Sequence, residues 1–280
     1  MYVVLFHRFD RLGCNLINYI AQIIYAYHHG YYIKIMDHKE NCPKYPNSKY
    51  YLVLLNYITN VLNVKNKPTE EILYNCNKYD IQYFCGFVTQ SIKCDLLSYF
   101  HKHIYNDLNF KDLNEFYNDV TYDFNNSIFC HLRLDDVSHK TDYDGAICSR
   151  YYKLILENDK PCSNKFYEYV NNHSPLSNEK INTMINDAKN IYPNDKLYMV
   201  TSPISNTDFN KYEIISNDDV DKDLFILSNS KKSILSRSMY ALSSLFFSPP
   251  KEYCYIPSWG YFVTCGLNTK YDNNSFKFIY

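Results

Sequence analysis

The run Ser127-Ile-Phe-Cys-His-Leu-Arg-Leu-Asp-Asp-Val137 constrains the fold of this chain more than any other segment. Ile128 to Leu132 reads as a buried apolar strand, and polar groups gather where it ends, at His131, Arg133 and Asp136. The segments that follow alternate in type. Glu179 to Ile191 has the spacing of an amphipathic helix, with Ser177 or Asn178 as its N-cap. Leu197 to Thr201 and Tyr212 to Ser216 read as strands, Asp221 to Ser230 as a helix, Lys232 to Leu235 as a short strand and Ser238 to Phe247 as a helix. Ser149 to Glu157 and Phe166 to Asn171 give weaker patterns, helices or strand ends. Alternation of this kind implies a parallel sheet joined by crossover helices. Ligands of open α/β sheets bind just outside the carboxyl ends of the strands. An arginine held there can offer its planar fork of donors to a phosphate. The run therefore points to a nucleotide or nucleotide-sugar site.

The N-terminal half opens with a second β-loop-α-β pattern. Val3 to Phe6 reads as a strand, His7 to Gly13 as a loop and Cys14 to His29 as a helix. Leu16, Ile20, Ile23, Ile24 and Tyr27 share one helical face. Gly30 suits a C-cap, and Tyr31 to Met36 alternates into another strand. Further on, Tyr50 to Leu55 and Gln82 to Val88 read as strands, while Cys94 to Asp107 and Leu113 to Val120 read as helices. The polar stretch Tyr122-Asp-Phe-Asn-Asn126 marks a boundary. The expected architecture is α/β, with a Rossmann-like half over 1–125 and another over 126–250. An aromatic, less regular tail over 251–280 is expected to pack back onto the N-terminal half.

Composition narrows the function classes. Formal net charge is −1, so nothing global suggests a nucleic-acid surface. The 10 cysteines form no CxxC pair and no zinc spacing with histidine, and in a chain this long they do not read as a disulfide scaffold. The 31 tyrosines are amphipathic, so some of them suit a polar cleft, while most suit half-buried packing. The chain opens Met-Tyr-Val-Val-Leu-Phe without a basic leader, and no apolar stretch reaches membrane-spanning length. The expectation is a reducing, cytoplasmic setting with no transmembrane segment.

Three islands, in order, resemble the motifs of one enzyme group. Asp10-Arg11-Leu12-Gly13-Cys14-Asn15-Leu16 looks like the GR(L/F)GNQL motif of GT-B fucosyltransferases, and like the GCQL variant of their α1,6-type relatives. His131-Leu-Arg133-Leu-Asp-Asp136 resembles their HxRRGD motif. Asp223-Leu-Phe-Ile-Leu, followed by Ser236-Arg237-Ser238, resembles their third motif, an acidic-Leu helix and then a strand ending in Ser-x-Ser. The group as a whole is similar to the α1,2-, α1,6- and protein O-fucosyltransferases. The resemblance implies two Rossmann-like domains facing across a cleft. It also implies inverting transfer of L-fucose from GDP-fucose to a glycan hydroxyl, with no metal cofactor.

Each island also has a reading of its own. Arg133 and His131 are the candidate catalytic residues. A guanidinium beside a departing diphosphate stabilises charge that develops in the transition state, although an ion-paired surface arginine is the plainer alternative. Where the group carries a second arginine, this chain has Leu134; where it carries Asn and Gln, it has Cys14 and Asn15. Gly13 and Asn15 are candidate donor contacts from the first loop, or parts of a simple turn. Asp136 suits either the donor ribose or a helix cap. Ser236, Arg237 and Ser238 suit phosphate at a helix start, with Arg237 partly replacing the charge that Leu134 removes, or a plain serine cap. Asp223 is implied to meet the nucleoside, but an acidic residue in a first helical turn is also favoured by the helix dipole. Asp219-Val-Asp221 spells the Asp-x-Asp of metal-dependent transferases, yet it reads better as a polar loop before a helix. His7, Asp10 and Asp37 are unranked candidates for a general base. Trp259 suits packing better than sugar stacking. Two alternatives stay open: the same fold with another nucleotide-deoxyhexose such as an NDP-rhamnose, and a non-enzymatic glycan-binding relative.

Overall fold

The computed structural model describes residues 2–5, 12–35, 47–66, 73–75, 81–133, 176, 178–201, 209, 211–257 and 276–279. The chain divides into two compact units, each with its own parallel sheet. The first unit runs to Thr121 and also takes in Leu242–Phe247; the second begins at Tyr122. Among the described residues the architecture is α/β. Among the described residues no helix is long and apolar enough to cross a membrane.

In the first unit β1 (Tyr2–Leu5) lies between β2 (Tyr32–Ile35) and β3 (Leu73–Asn75), all parallel. Helix α1 (Leu12–His29) connects β1 to β2 and is buried almost all round its first four turns. It begins two residues before the expected start, because Leu12 is buried and extends the apolar stripe of Leu16, Tyr19, Ile20 and Ile23. Gly13 therefore sits in the first helical turn and not in a loop. The helix ends as expected at Gly30, where φ is +68° and Tyr31 N–H donates to Ala26 O at 2.8 Å. Strand β2 is an edge strand, and the Asn63 amide closes part of its open side. Ile33 N–H donates to Asn63 Oδ1 and Asn63 Nδ2 donates to Ile33 O, each at 2.8 Å.

Two segments expected as strands are helical. Tyr50 to Leu55 falls in α2 (Lys49–Tyr57), which runs through a π-turn (Ile58–Leu62) into α3 (Asn63–Lys65). Strand alternation would place Leu52 on the face of Tyr50 and Leu54. Those two are fully buried while Leu52 is 48% exposed. Burial instead follows Tyr50, Tyr51, Leu54, Tyr57 and Ile58, the helical period. Gln82 to Val88 lies in α4 (Ile81–Ile92), with Phe84, Cys85, Val88 and Ile92 buried at the same period. Aromatic and β-branched composition suggests a strand in both places, and packing overrides it. Helix α5 (Leu96–His103) is capped by Asp95, whose Oδ1 accepts from Ser98 N–H at 2.7 Å. A 3-10 turn (Tyr105–Asp107) and the short α6 (Lys111–Phe116) follow.

The second unit holds β4 (Ser127–His131), α7 (Asn178–Ile191), β5 (Lys196–Val200), β6 (Glu213–Ile215), α8 (Val220–Asn229), β7 (Lys232–Ile234), the start of α9 (Met239–Phe246, counted with the first unit from Leu242 on), β8 (Tyr253–Pro257) and β9 (Phe276–Ile279). All six strands are parallel, in the order β6-β5-β4-β7-β8-β9. Counted from β4 this is 3-2-1-4-5-6, the doubly wound order in which chain direction reverses between the first and fourth strands. The expectation for 251–280 fails in its described part: β8 and β9 extend this second sheet. Tyr253-Cys-Tyr-Ile-Pro257 is fully buried, so its aromatic content belongs to an interior strand. The patterns over 149–157 and 166–171 lie outside the described residues.

Both faces of β4 are covered. Ile128, Cys130 and Leu132 pack with Ile181, Met184, Ile185 and Ala188 of α7. On the other face Phe129 stacks on Tyr198 (5.1 Å, 12°), with Tyr122 and Phe124 around it. Two lysines are buried in this unit. Lys232 Nζ donates to Asn125 O at 2.7 Å and pairs with Asp195 at 2.5 Å. Lys251 Nζ donates to Leu227 O (2.9 Å) and Ser230 O (2.7 Å), capping the C-terminus of α8 with a cation.

Candidate functional site at the strand switch point

The reversal between β4 and β7 opens a crevice at the carboxyl ends of these two strands. His131 is the last residue of β4, and Arg133 lies two residues beyond it. Ser236 lies two residues beyond β7 and Ser238 just before α9. The structure brings these residues together. His131 Nδ1 and Ser236 Oγ share a hydrogen bond of 2.6 Å, with both residues buried. Arg133 Nη1 donates to Arg237 O at 3.1 Å. His131, Arg133, Ser236 and Arg237 line a small pocket whose apolar wall is Leu176 and Ile181. Both arginines are half-buried, so each guanidinium is partly shielded from water.

The turn after β7 builds the phosphate-type features. Ser238 N–H donates to Ser236 O at 2.9 Å, a tight turn. Ser238 Oγ then accepts from Tyr240 N–H at 3.2 Å, which caps α9. A helix start of eight residues thus faces the pocket side of the sheet, beside two arginines and two buried hydroxyls. Such a set suits an anion with several oxygens, since backbone dipole and guanidinium charge add.

The N-terminus of α8 is tied to that of α9: the Tyr240 hydroxyl donates to Val220 O. Asp219 caps α8 through Asp221 N–H at 2.9 Å, which accounts for the Asp-x-Asp spelling in structural terms. Asp223 follows one turn into α8, 8% exposed, and its Oδ1 accepts from Asn217 Nδ2 at 2.5 Å. Burial pushes its carboxyl up to about 7, against the pull of the Asn217 bond. A buried carboxyl displaced in this way is a candidate functional position. Asp223 does not line the pocket of His131 and Arg133.

Gly13 and Asn15 lie buried in α1, in the other unit. Asp136, Leu134, His7, Asp10, Asp37 and Trp259 lie outside the described residues. Two residues of this region are absent from the sequence reading. Asn217 carries no signal beyond being polar before a helix. Tyr240 is foreshadowed only by following a serine cap at the second helical position.

No protein-family model matches the chain, and neither a curated protein nor a solved structure matches it.

Proposed function

We propose that this protein is a glycosyltransferase that moves L-fucose from GDP-fucose to a glycan hydroxyl with inversion and without a metal ion. The scaffold in this reading is GT-B: two Rossmann-like domains facing across a cleft, with the donor nucleotide held by the second. One observation carries the reading. Arg133, Arg237, Ser236 and Ser238 meet at the switch point of a 3-2-1-4-5-6 parallel sheet, beside the start of α9. The three motif islands and this placement are independent supports, because motif spelling does not require the residues to converge.

In this reading the diphosphate lies against the α9 turn. As the bond from the sugar C1 to the β-phosphate oxygen lengthens, negative charge grows on the diphosphate and positive charge on the sugar ring. Arg133 stabilises the first, and as one oriented donor it contributes on the order of 3 kcal/mol. Arg237 adds a second cation, which in this reading partly replaces the arginine that the resembled motif carries where this chain has Leu134. Ser236 orients His131 at Nδ1, and in this reading the imidazole stands beside the donor sugar.

The test is calorimetric titration of the protein with GDP, GDP-fucose, UDP and dTDP, followed by turnover of GDP-fucose with and without glycan acceptors. Selective binding of the guanine nucleotides supports the proposal. Preference for uridine or thymidine diphosphates replaces the donor, and binding of none overturns the enzymatic reading. Arg133→Ala is expected to lower kcat by about 100-fold or more, with the melting temperature nearly unchanged because the side chain is half-exposed.

A further inference from the structure

We propose that Tyr240 is a positioning residue of the switch-point site, setting the plane of the His131 ring and the spacing between the starts of α8 and α9. The inference rests on the reading of the site as a nucleotide-sugar site. Two contacts of its side chain and one of its backbone converge on this residue. Its ring lies against the His131 imidazole, with centroids 5.6 Å apart and planes at 37°. Its hydroxyl donates to Val220 O, the first carbonyl of α8. Its own N–H is bonded to Ser238 Oγ at the cap of α9.

These contacts have separable consequences. The Ser236 hydrogen bond sets where His131 Nδ1 points. The Tyr240 ring packs against the imidazole and restricts its rotation about that bond on one face. The hydroxyl acts elsewhere. It holds the first turn of α8, and with it Asp223 one turn on, at a set distance from the α9 turn that carries Ser236 and Arg237. Tyr240 thereby links the pocket of His131 and Arg133 to a carboxyl that does not line it.

Two variants divide these roles. Tyr240→Phe keeps the ring and removes the tether; Tyr240→Leu removes both. Donor turnover, GDP affinity, melting temperature and the imidazole nitrogen NMR signals of His131 are measured for the wild type and both variants. The Leu variant is expected to lose about tenfold or more in kcat at saturating donor, with His131 signals averaged between tautomers. The Phe variant is expected to recover most of that kcat while its donor KM stays several-fold raised, since one hydrogen bond between the helix starts is gone. Equal kcat and KM per folded molecule in all three proteins would overturn the inference while leaving the site reading intact, even if melting temperatures fell. A wild type that binds neither GDP nor any other nucleoside diphosphate would overturn both.

Discussion

Asp223→Asn separates stability from function at one position. The carboxyl stands at about 7 in the folded protein against an ordinary value near 3.8, chiefly because burial disfavours its charged form. Carrying a carboxyl over that interval corresponds to about 4 kcal/mol between its two protonation states, an upper bound for a site this close to a helix start. The sign follows from proton counts. Between pH 4 and pH 7 the folded state keeps the proton and the unfolded state has lost it, so unfolding releases a proton and stability falls as pH rises. The favourable contribution is complete below pH 4 and gone above pH 7. Asparagine cannot ionise, and its carbonyl still accepts from Asn217 Nδ2. The variant is therefore expected to match the wild type near pH 3 and to exceed it at pH 8 by about 2–4 kcal/mol. Urea denaturation at the two pH values, with hydrogen exchange of the α8 amides as a local probe, measures this. If the carboxyl is retained for a nucleoside, the stabilised variant binds GDP at least tenfold more weakly, because a charged acceptor becomes a neutral amide. A variant that is destabilised equally at both pH values would refute the argument, since it would show that the ionised carboxyl is well accommodated in the fold.

Other perturbations test the scaffold around the site. Burial holds the Lys251 ammonium down to about 8, below its ordinary value, so the folded state loses its proton before the unfolded state does. Wild-type stability is expected to rise between pH 8 and about pH 10 by this term. Lys251→Met should abolish that rise and cost about 1–3 kcal/mol at pH 7, where Leu227 O and Ser230 O lose their donor. Gly30→Ala should destabilise the first unit by about 1 kcal/mol because φ is +68° there, with Gly30→Asn milder, as read by thermal melting. Asn63→Ala should cost about 1–3 kcal/mol and speed exchange of the Ile33 amide, since both edge bonds of β2 disappear together.

The second sheet was more legible in the sequence than the helical layer of the first unit, and the reason is physical. Strands such as Ile128 to Leu132 and Leu197 to Thr201 are short apolar runs bounded by polar turns, and helices such as 178–191 carry a single buried stripe. Each pattern admits one period. Residues 49–57 are apolar or aromatic at most positions, so the sequence shows little contrast between faces, and in 81–92 the run Tyr83-Phe-Cys-Gly-Phe-Val88 carries strand-forming composition across a helical stripe. Only the burial of Tyr50 and Leu54 against the exposure of Leu52 reveals the helical period. β8 escaped for a related reason: Tyr253, Tyr255 and Pro257 suggest a surface segment until the sheet places them inside.

The site divides along the same line. His131, Arg133, Ser236 and Ser238 are chemically expressive residues at predictable strand ends, so they stand out as candidates before their contacts are known. Convergence is not visible, because 105 residues separate His131 from Ser236 and only the 3-2-1-4-5-6 order makes β4 and β7 neighbours. Tyr240 touches His131 through a ring face and Val220 O through its hydroxyl, and Asn217 donates to Asp223. Such contacts leave no spacing rule in the chain, since many other residues could stand at the second position of a helix without changing its pattern. A supporting shell of this kind becomes legible only when the fold order is known, and that order is carried by the whole sheet rather than by any one motif.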